Sequence, residues 1–265
     1  MAVIGNNIAN VNTTAFKSSR VQFSDTFSQT LRASSAPGAN SAGTTSMQVG
    51  TGVGTASIQS QFTQGTTTRT GLSTDLAISG SGFFVVRDSL NGSTYVTRAG
   101  DFNIDSNGYL VTSSGMRLQG FSDAGLSTRG DLRVDATGAP DGTAPGATVE
   151  SFTIDQQGQI RVKLSDNTEF TRGQVLLQTF QSPQGLSKEG ENLYSSLAAA
   201  GPLPNPSAPG SAGLGTIQSG ALELSNVDLA QEFSTMITTQ RAFQACSRVV
   251  TTSDEILQEL VNLKR

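Results

Sequence analysis

The chain has 265 residues, 35% hydrophobic and 14% charged, with a formal net charge of −4. That length holds one large domain or two small ones, and without a basic cluster a phosphate backbone would find no counter-charge, which excludes nucleic acid as a partner. The lone cysteine, Cys246, rules out an intrachain disulfide framework, and the lack of histidine removes the commonest general base and metal ligand.

Gly, Ser, Thr, Asn and Gln are abundant, the composition of a β-rich, turn-rich, secreted or surface structure. Met1-Ala2-Val3-Ile4 lacks the basic start, apolar core and cleavage site of a signal peptide, so export would use a route without a cleaved leader. No stretch approaches the roughly 20 apolar residues of a membrane span, so no membrane insertion is expected. Ile4, Ile8 and Val11 stand at i, i+4, i+7, so this segment reads as the end of a helix that Asn12-Thr13-Thr14 breaks. Phe23, Phe27 and Leu31 repeat every four residues and predict a short helix over Val21–Leu31. Ala33–Ser46, rich in small residues with Pro37, reads as an extended, flexible excursion. Gln48–Gly71 alternates weakly through Val49, Val53, Ile58 and Phe62 and reads as extended segments crossing to a β region.

Leu76–Phe121 carries the clearest strand grammar. Leu76-Ala77-Ile78 meets a turn at Ser79-Gly80-Ser81-Gly82, and Phe83-Phe84-Val85-Val86 follows as a buried strand. Asn91-Gly92 is a hairpin signal, because both residues tolerate positive φ. Phe102, Ile104, Asp105, Gly108 and Leu110 recur as Phe152, Ile154, Asp155, Gly158 and Ile160, which predicts two similar hairpins in one β domain. Ser122–Thr148, with Pro140 and Pro145, reads as a loop. Gln174–Phe180 is a further strand, and a Pro/Gly/Ala-rich connector, Ala198–Gly215, leads toward the C-terminus.

Ser225-Asn226-Val227-Asp228 is a helix-start signature in which the serine hydroxyl accepts from the first free N–H groups and Asp228 places charge on the first turn. From there to Leu263 there is neither Gly nor Pro, and a run of about 37 residues makes a rod of about 55 Å. Leu229, Glu232, Met236, Thr239, Phe243, Cys246, Val250, Ser253, Leu257 and Leu260 fall on one seam, with Phe233, Ile237, Val249, Ile256 and Leu263 beside it. Cys246 reads as a small buried thiol on that seam. Polar residues at Thr239-Gln240-Arg241 and Ser247-Arg248 make the seam too dilute for an isolated coiled coil. Packing between copies of the chain is the economical way to cover it.

Chemistry is not indicated. Gly50-Thr51-Gly52-Val53-Gly54 lacks the spacing and following lysine of a nucleotide loop. Asp105-Ser106-Asn107-Gly108 opens like a calcium loop, but Met116 stands where the bidentate Glu belongs. The carboxylates are scattered, and no nucleophile has a base in a local signature. No catalytic, cofactor-binding or metal-binding residue is therefore expected. The candidate functional residues are contacts between subunits: Ile4, Asn7, Ile8, Asn10, Val11, Asn12, Leu229, Phe233, Met236, Phe243, Val250, Leu257 and Leu260. Asn6, Asn7, Asn10 and Asn12 are expected to hydrogen-bond backbone between neighbouring helices.

Both ends carry a resemblance. Ile4–Lys17 is similar to the N-terminal signature of the axial proteins of the bacterial flagellum, the group of rod and hook proteins. Ser225-Asn226-Val227-Asp228-Leu229, Gln240-Arg241-Ala242-Phe243-Gln244 and Thr252-Ser253-Asp254-Glu255-Ile256-Leu257 resemble its C-terminal one, and Leu76-Ala77-Ile78, Gly82-Phe83-Phe84 and Thr97–Phe102 also resemble the family. The resemblance implies about twenty further residues ahead of Ile4, roughly 30 Å of amphipathic helix. The start therefore lies upstream or the chain is a fragment. It also implies an α+β fold: terminal helical regions at 1–32 and 221–265 forming an inner layer, an extended crossing at 33–75, and a β-rich outer domain of hairpins at 76–220. The implied function is structural. Subunits polymerise into a hollow helical tube, with distal rod and hook–filament junction proteins as neighbours and the hook cap and flagellar export apparatus as assembly partners. The ending looks most similar to hook proteins of the short type, without the inserted outer domain, so the first reading is the hook, the universal joint between rod and filament in motility. The distal rod protein is the alternative reading, and a secreted β-rich adhesin a remote one.

Overall fold

The computed structural model describes residues 1–37, 42–140, 143, 147–202, 206–211 and 213–263. Expectations on Pro145, on Lys264-Arg265 and on the centres of the 33–46 excursion and the 198–215 connector lie outside the described residues. The chain divides into two units, one of Met1–Ser18 with Phe62–Arg265 and the other of Ser19–Gln61.

The first unit is built on Phe83–Arg87, whose consecutive apolar residues are buried on both faces. Alternation along the strand sends Phe84 and Val86 into one core with Leu118, Ile160, Val162 and Leu177. It sends Phe83 and Val85 into a second with Val96, Phe180, Leu186 and Tyr194. The strand pairs with Thr94–Thr97 on one side and with Arg117–Phe121 and Leu177–Gln178 on the other, all antiparallel. The sheet continues through Glu169–Val175 and Gln159–Leu164 to Val149–Ile154, and in the other direction through Leu193–Ser195 to Ser187–Gly190.

The two matching hairpins form as their shared residues require. Asp105 and Asp155 each open a turn that their own Gly108 and Gly158 N–H groups close at 2.8 and 2.9 Å, and both glycines have positive φ. The loop after Phe83–Arg87 differs from the expected two-residue turn. It spans Asp88–Ser93, because the Asp88 carboxylate accepts from Leu90 N at 2.8 Å and Asn91 Nδ2 at 3.2 Å, and only Gly92 of the Asn91-Gly92 pair has positive φ.

Leu76–Ser79 and Thr67–Arg69 pair with late strands, Thr216–Ser219 and Ala221–Glu223. These long-range pairs bring the C-terminal approach back beside the start of the β body. The backbones close tightly there: a Cβ on Gly100 would sit 1.6 Å from the Leu76 carbonyl oxygen.

Helix α1 runs over Ala2–Ala9 and α2 over Leu229–Leu263. The cap of α2 departs from the sequence expectation by one step. Asp228, not Ser225, is the N-cap, its Oδ1 accepting from Ala230 N at 2.9 Å and Gln231 N at 3.3 Å. Ser225–Val227 stays outside the helix because Asn226 is committed elsewhere: its Oδ1 accepts from Ser18 N at 2.8 Å and its Nδ2 donates to Thr63 Oγ1 at 2.7 Å.

The second unit corrects the expected helix at Val21–Leu31 and the helical assignment of 19–32. Ser19–Asp25 and Ser28–Arg32 are strands. They pair antiparallel with Val53–Ser60 and Met47–Gly50, so the extended segments expected from Gln48 on form the return strands of a ribbon. A Ser35–Thr44 bridge extends the ribbon toward its tip. A four-residue repeat fits a period of two as well as one of 3.6, and Phe23-Phe27-Leu31 therefore misleads.

Candidate functional site

Long-range hydrogen bonds gather at the root of α2. Asn10, after the last residue of α1, donates from Nδ2 to Asn6 Oδ1 at 2.6 Å and accepts from Thr13 Oγ1 at 3.1 Å. The turn then passes through Ala15, fully buried with φ +55°, whose N–H donates to the Glu223 carbonyl at 2.8 Å. Asn192 Nδ2 donates to Thr14 O, and Lys188 Nζ donates to Lys17 O and lies 4.5 Å from the Phe16 ring centre. Asn7, buried, donates to Glu232 Oε1 at 3.0 Å and so ties α1 to the first turn of α2.

Beneath this turn lies a buried ionic cluster. Lys17 Nζ donates to Glu223 Oε1 at 2.6 Å and to Thr63 O at 2.7 Å, and both charged side chains are fully buried. Arg98 approaches Glu223 Oε2 at 3.5 Å, donates to Gly80 O at 2.9 Å and lies over the Phe83 ring. Burial lowers the Lys17 ammonium below its ordinary value, against its bond to Glu223, and lowers the Arg98 guanidinium in the same way. Sequence reasoning missed all three residues. A signal existed: each charge interrupts an apolar run, Ala15-Phe16-Lys17, Val96-Thr97-Arg98-Ala99 and Ala221-Leu222-Glu223-Leu224.

Beyond its root, α2 has no covering partner among the described residues, and none of its described residues is buried. Leu229, Phe233, Phe243, Val250, Leu257 and Leu260 are all exposed, Phe243 to 69%, while Met236 is half-buried. Cys246, read from the sequence as a small buried thiol on that seam, is exposed in the single chain. The hydroxyls of α2 satisfy themselves within the helix: Thr235, Thr238, Thr239 and Ser253 each donate to the carbonyl one turn back, Thr239 and Ser253 from positions on the seam. Of the expected N-terminal contacts, Ile4, Ile8, Asn10 and Val11 are half-buried and Asn12 is exposed, so Asn7 and Asn10 serve the chain's own root.

The ribbon of the second unit is two-sided. Val21 stands opposite Ile58, Phe23 opposite Thr55 and Asp25 opposite Val53. On the alternate face Gln22 donates to Gln59 and accepts from Ser57. The polar face is internally bonded, whereas the apolar one lies open, with Phe27 93% exposed.

Concave regions of the first unit carry no catalytic set among the described residues. One is a cavity of about 250 Å³ between the Thr13-Thr14 turn, Thr97, Asp101, Thr112–Ser114 and Glu191–Leu193. Burial raises the Asp101 carboxyl in it, with the Asp75 charge adding to the rise. Among the described residues no group of three or more His, Cys, Asp or Glu side chains could hold a metal ion, and no helix is long and apolar enough to cross a membrane.

Comparison with known proteins gives a consistent picture. Residues 218–263 match the family described as flagellar basal body rod FlgEFG protein C-terminal, and residues 77–162 match the flagellar hook protein FlgE/F/G D1 domain. The chain is 42% identical over 263 residues to the flagellar basal-body rod protein FlgG of Bacillus subtilis, covering 99% of this chain and 92% of that protein. It is 38% identical to the protein of the same name from Borreliella burgdorferi, with the same coverage. Against the flagellar hook protein FlgE of Borreliella burgdorferi it is 27% identical over 426 aligned positions, covering 100% of this chain and 96% of that protein.

Proposed function

The chain belongs to the flagellar rod and hook axial protein family, and from that premise we propose that it is a subunit of the distal rod of the flagellar basal body. It is an axial structural subunit of the bacterial flagellum and not an enzyme. Length and identity support the rod over the hook. The rod-named relatives align nearly end to end at 34–42% identity in several organisms, whereas alignment to the hook protein stretches over 426 positions at 27%. The similarity of the C-terminal ending to short hook proteins is shared across the family and does not outweigh this.

The observation that carries the mechanism is the uncovered side of α2. Its apolar residues run the length of a 35-residue helix with none buried. Such a helix in water gains most of its stability from tertiary cover, and sister subunits are the cover proposed. Copies of the chain stack into a hollow tube, Leu229, Phe233, Met236, Phe243, Val250, Leu257 and Leu260 sealing an inner helical layer with Ile4, Ile8 and Val11. The β body forms the outer wall, and the open face of the ribbon rests on neighbouring copies. Neighbouring rod and hook subunits bound the tube at its ends, and the export apparatus delivers its subunits. The mechanical role is transmission of torque.

Electron microscopy of basal bodies from cells lacking the gene tests the assignment. A rod that stops short supports the distal-rod reading, and a complete rod that lacks only the hook overturns it in favour of the hook.

A further inference from the structure

Four separated segments of the chain meet at one carboxylate, and a fifth joins them through Arg98. Glu223 Oε1 accepts from Lys17 Nζ and, at 3.0 Å, from Gly65 N, while Oε2 faces Arg98. Lys17 continues to Thr63 O, and Arg98 continues to Gly80 O. The backbone of the same residues closes the knot: Ala15 N donates to Glu223 O, Leu224 N to Thr66 O and Asn226 N to Phe16 O. Space is so tight that a Cβ on Gly65 would stand 2.1 Å from Leu224 O. Glu223 ends the strand Ala221–Glu223, six residues before α2 begins.

Charge makes this a poor device for stability alone. Two buried cations face a single carboxylate, and Arg98 Nε has no hydrogen-bond partner among the described residues. Removing charges from water costs more than one imperfect pairing returns, so apolar side chains of similar volume would hold the sheet at least as well. What an apolar cluster would lack is direction. Methyl groups slide past one another, whereas a carboxylate with donors on both oxygens admits one arrangement of the segments that carry them.

We infer that Glu223 is the positioning residue of the joint between the β body and α2, with Lys17 and Arg98 as the two clamps that fix it in one orientation. The joint gives α2 one direction relative to the sheet before any neighbour touches it. Assembly then selects among copies already shaped alike, and a helix held at its root passes a twist to the body without bending there. The inference concerns the single chain and goes beyond the distal-rod reading.

Hydrogen exchange of the full-length chain, read segment by segment by mass spectrometry at neutral pH, tests it with two variants. Glu223→Gln keeps the shape and leaves both cations without a carboxylate. Lys17→Met combined with Glu223→Gln restores the wild-type sum of one buried positive charge but deletes the ion pair. In both, segments 13–18, 63–66 and 221–227 are expected to exchange about tenfold or more faster, while 83–87 and 117–121 keep their wild-type rates. Unchanged rates at the joint overturn the inference, because the cluster would then be filler. Equal acceleration in the sheet, or failure of both variants to fold, overturns it too, because the cluster would then be a general stabiliser. Polymer growth is not read, so this result and the rod assignment can fail independently.

Discussion

Replacing Phe243 by aspartate separates the subunit's own fold from its assembly. Phe243 is 69% exposed on α2. An aromatic side chain offers about 150–250 Å², which leaves about 100–170 Å² for a neighbour to cover. At about 25 cal/mol per Å² that is about 2.5–4 kcal/mol for each subunit added. A tenfold change in equilibrium constant is about 1.4 kcal/mol, so Phe243→Asp should weaken subunit addition by about 100-fold or more. Desolvating the new carboxylate pushes in the same direction. Within the single chain no packing is lost, and the free energy of unfolding should stay within about 0.5 kcal/mol of wild type. Thr238→Asp, about 140° around the helix from Phe243, controls for a charge on α2 as such. Sedimentation and electron microscopy of the purified chain, with basal bodies from the mutant strain, read the outcome. Polymers of normal length and unchanged critical concentration in Phe243→Asp would refute the role given to the stripe.

Gly100→Ala should be among the most damaging substitutions in the body, because its Cβ would lie 1.6 Å from Leu76 O, where backbone and not a flexible side chain must yield; a loss of about 3 kcal/mol or more in chemical denaturation is expected, and a loss below about 1 kcal/mol would show that the strands can separate there. Asp101→Asn should stabilise the chain at neutral pH and do nothing in strong acid. Burial raises the folded Asp101 carboxyl above its unfolded value, so its contribution is fully present below the unfolded pKa and lost as pH rises through the folded one. Thermal midpoints across that window check the sign, and a variant that is less stable at neutral pH would contradict it. Asp228→Ala removes the side chain that accepts from Ala230 N and Gln231 N, and should cost about 1 kcal/mol, visible by circular dichroism as fraying of the α2 root with the sheet unchanged.

Local chemistry was legible in the sequence wherever a residue's role is fixed by its near neighbours. Asp105–Gly108 and Asp155–Gly158 repeat one turn because an aspartate carbonyl and a positive-φ glycine three residues on are enough to close it. Phe83-Phe84-Val85-Val86 announced a strand buried on both faces, and the run without Gly or Pro announced α2. The ribbon was not legible, since the spacing of Phe23, Phe27 and Leu31 satisfies both periods and its partner strands, from Met47 on, lie too far along the chain to signal pairing. Nor was the joint, whose ion pairs connect residues 206 and 125 positions apart. The α2 cap shows the same divide at small scale. Ser225 and Asp228 are equivalent on local preference, and only the long-range bonds of Asn226 to Ser18 and Thr63 exclude Ser225.

The chain thus divides its ordering into two stages with different physical sources. The β body closes on itself: its two cores are filled by side chains such as Phe84, Leu118 and Ile160, which are fully buried, and by Phe83 and Tyr194, which nearly are. Helix α2 draws nothing from those cores. Its hydroxyls satisfy its own carbonyls and its cap satisfies its first N–H groups, so the backbone is complete while the apolar side stays bare. Burying that side within the chain would leave the subunit nothing to add to a neighbour. In the assembly proposed above, an unfixed root would let the bare side meet neighbours at many angles, where a tube requires one. The dense bonding at Asn7, Lys17, Asn226 and Glu232 therefore belongs where it is found, between a surface that must remain open and a body that must not move.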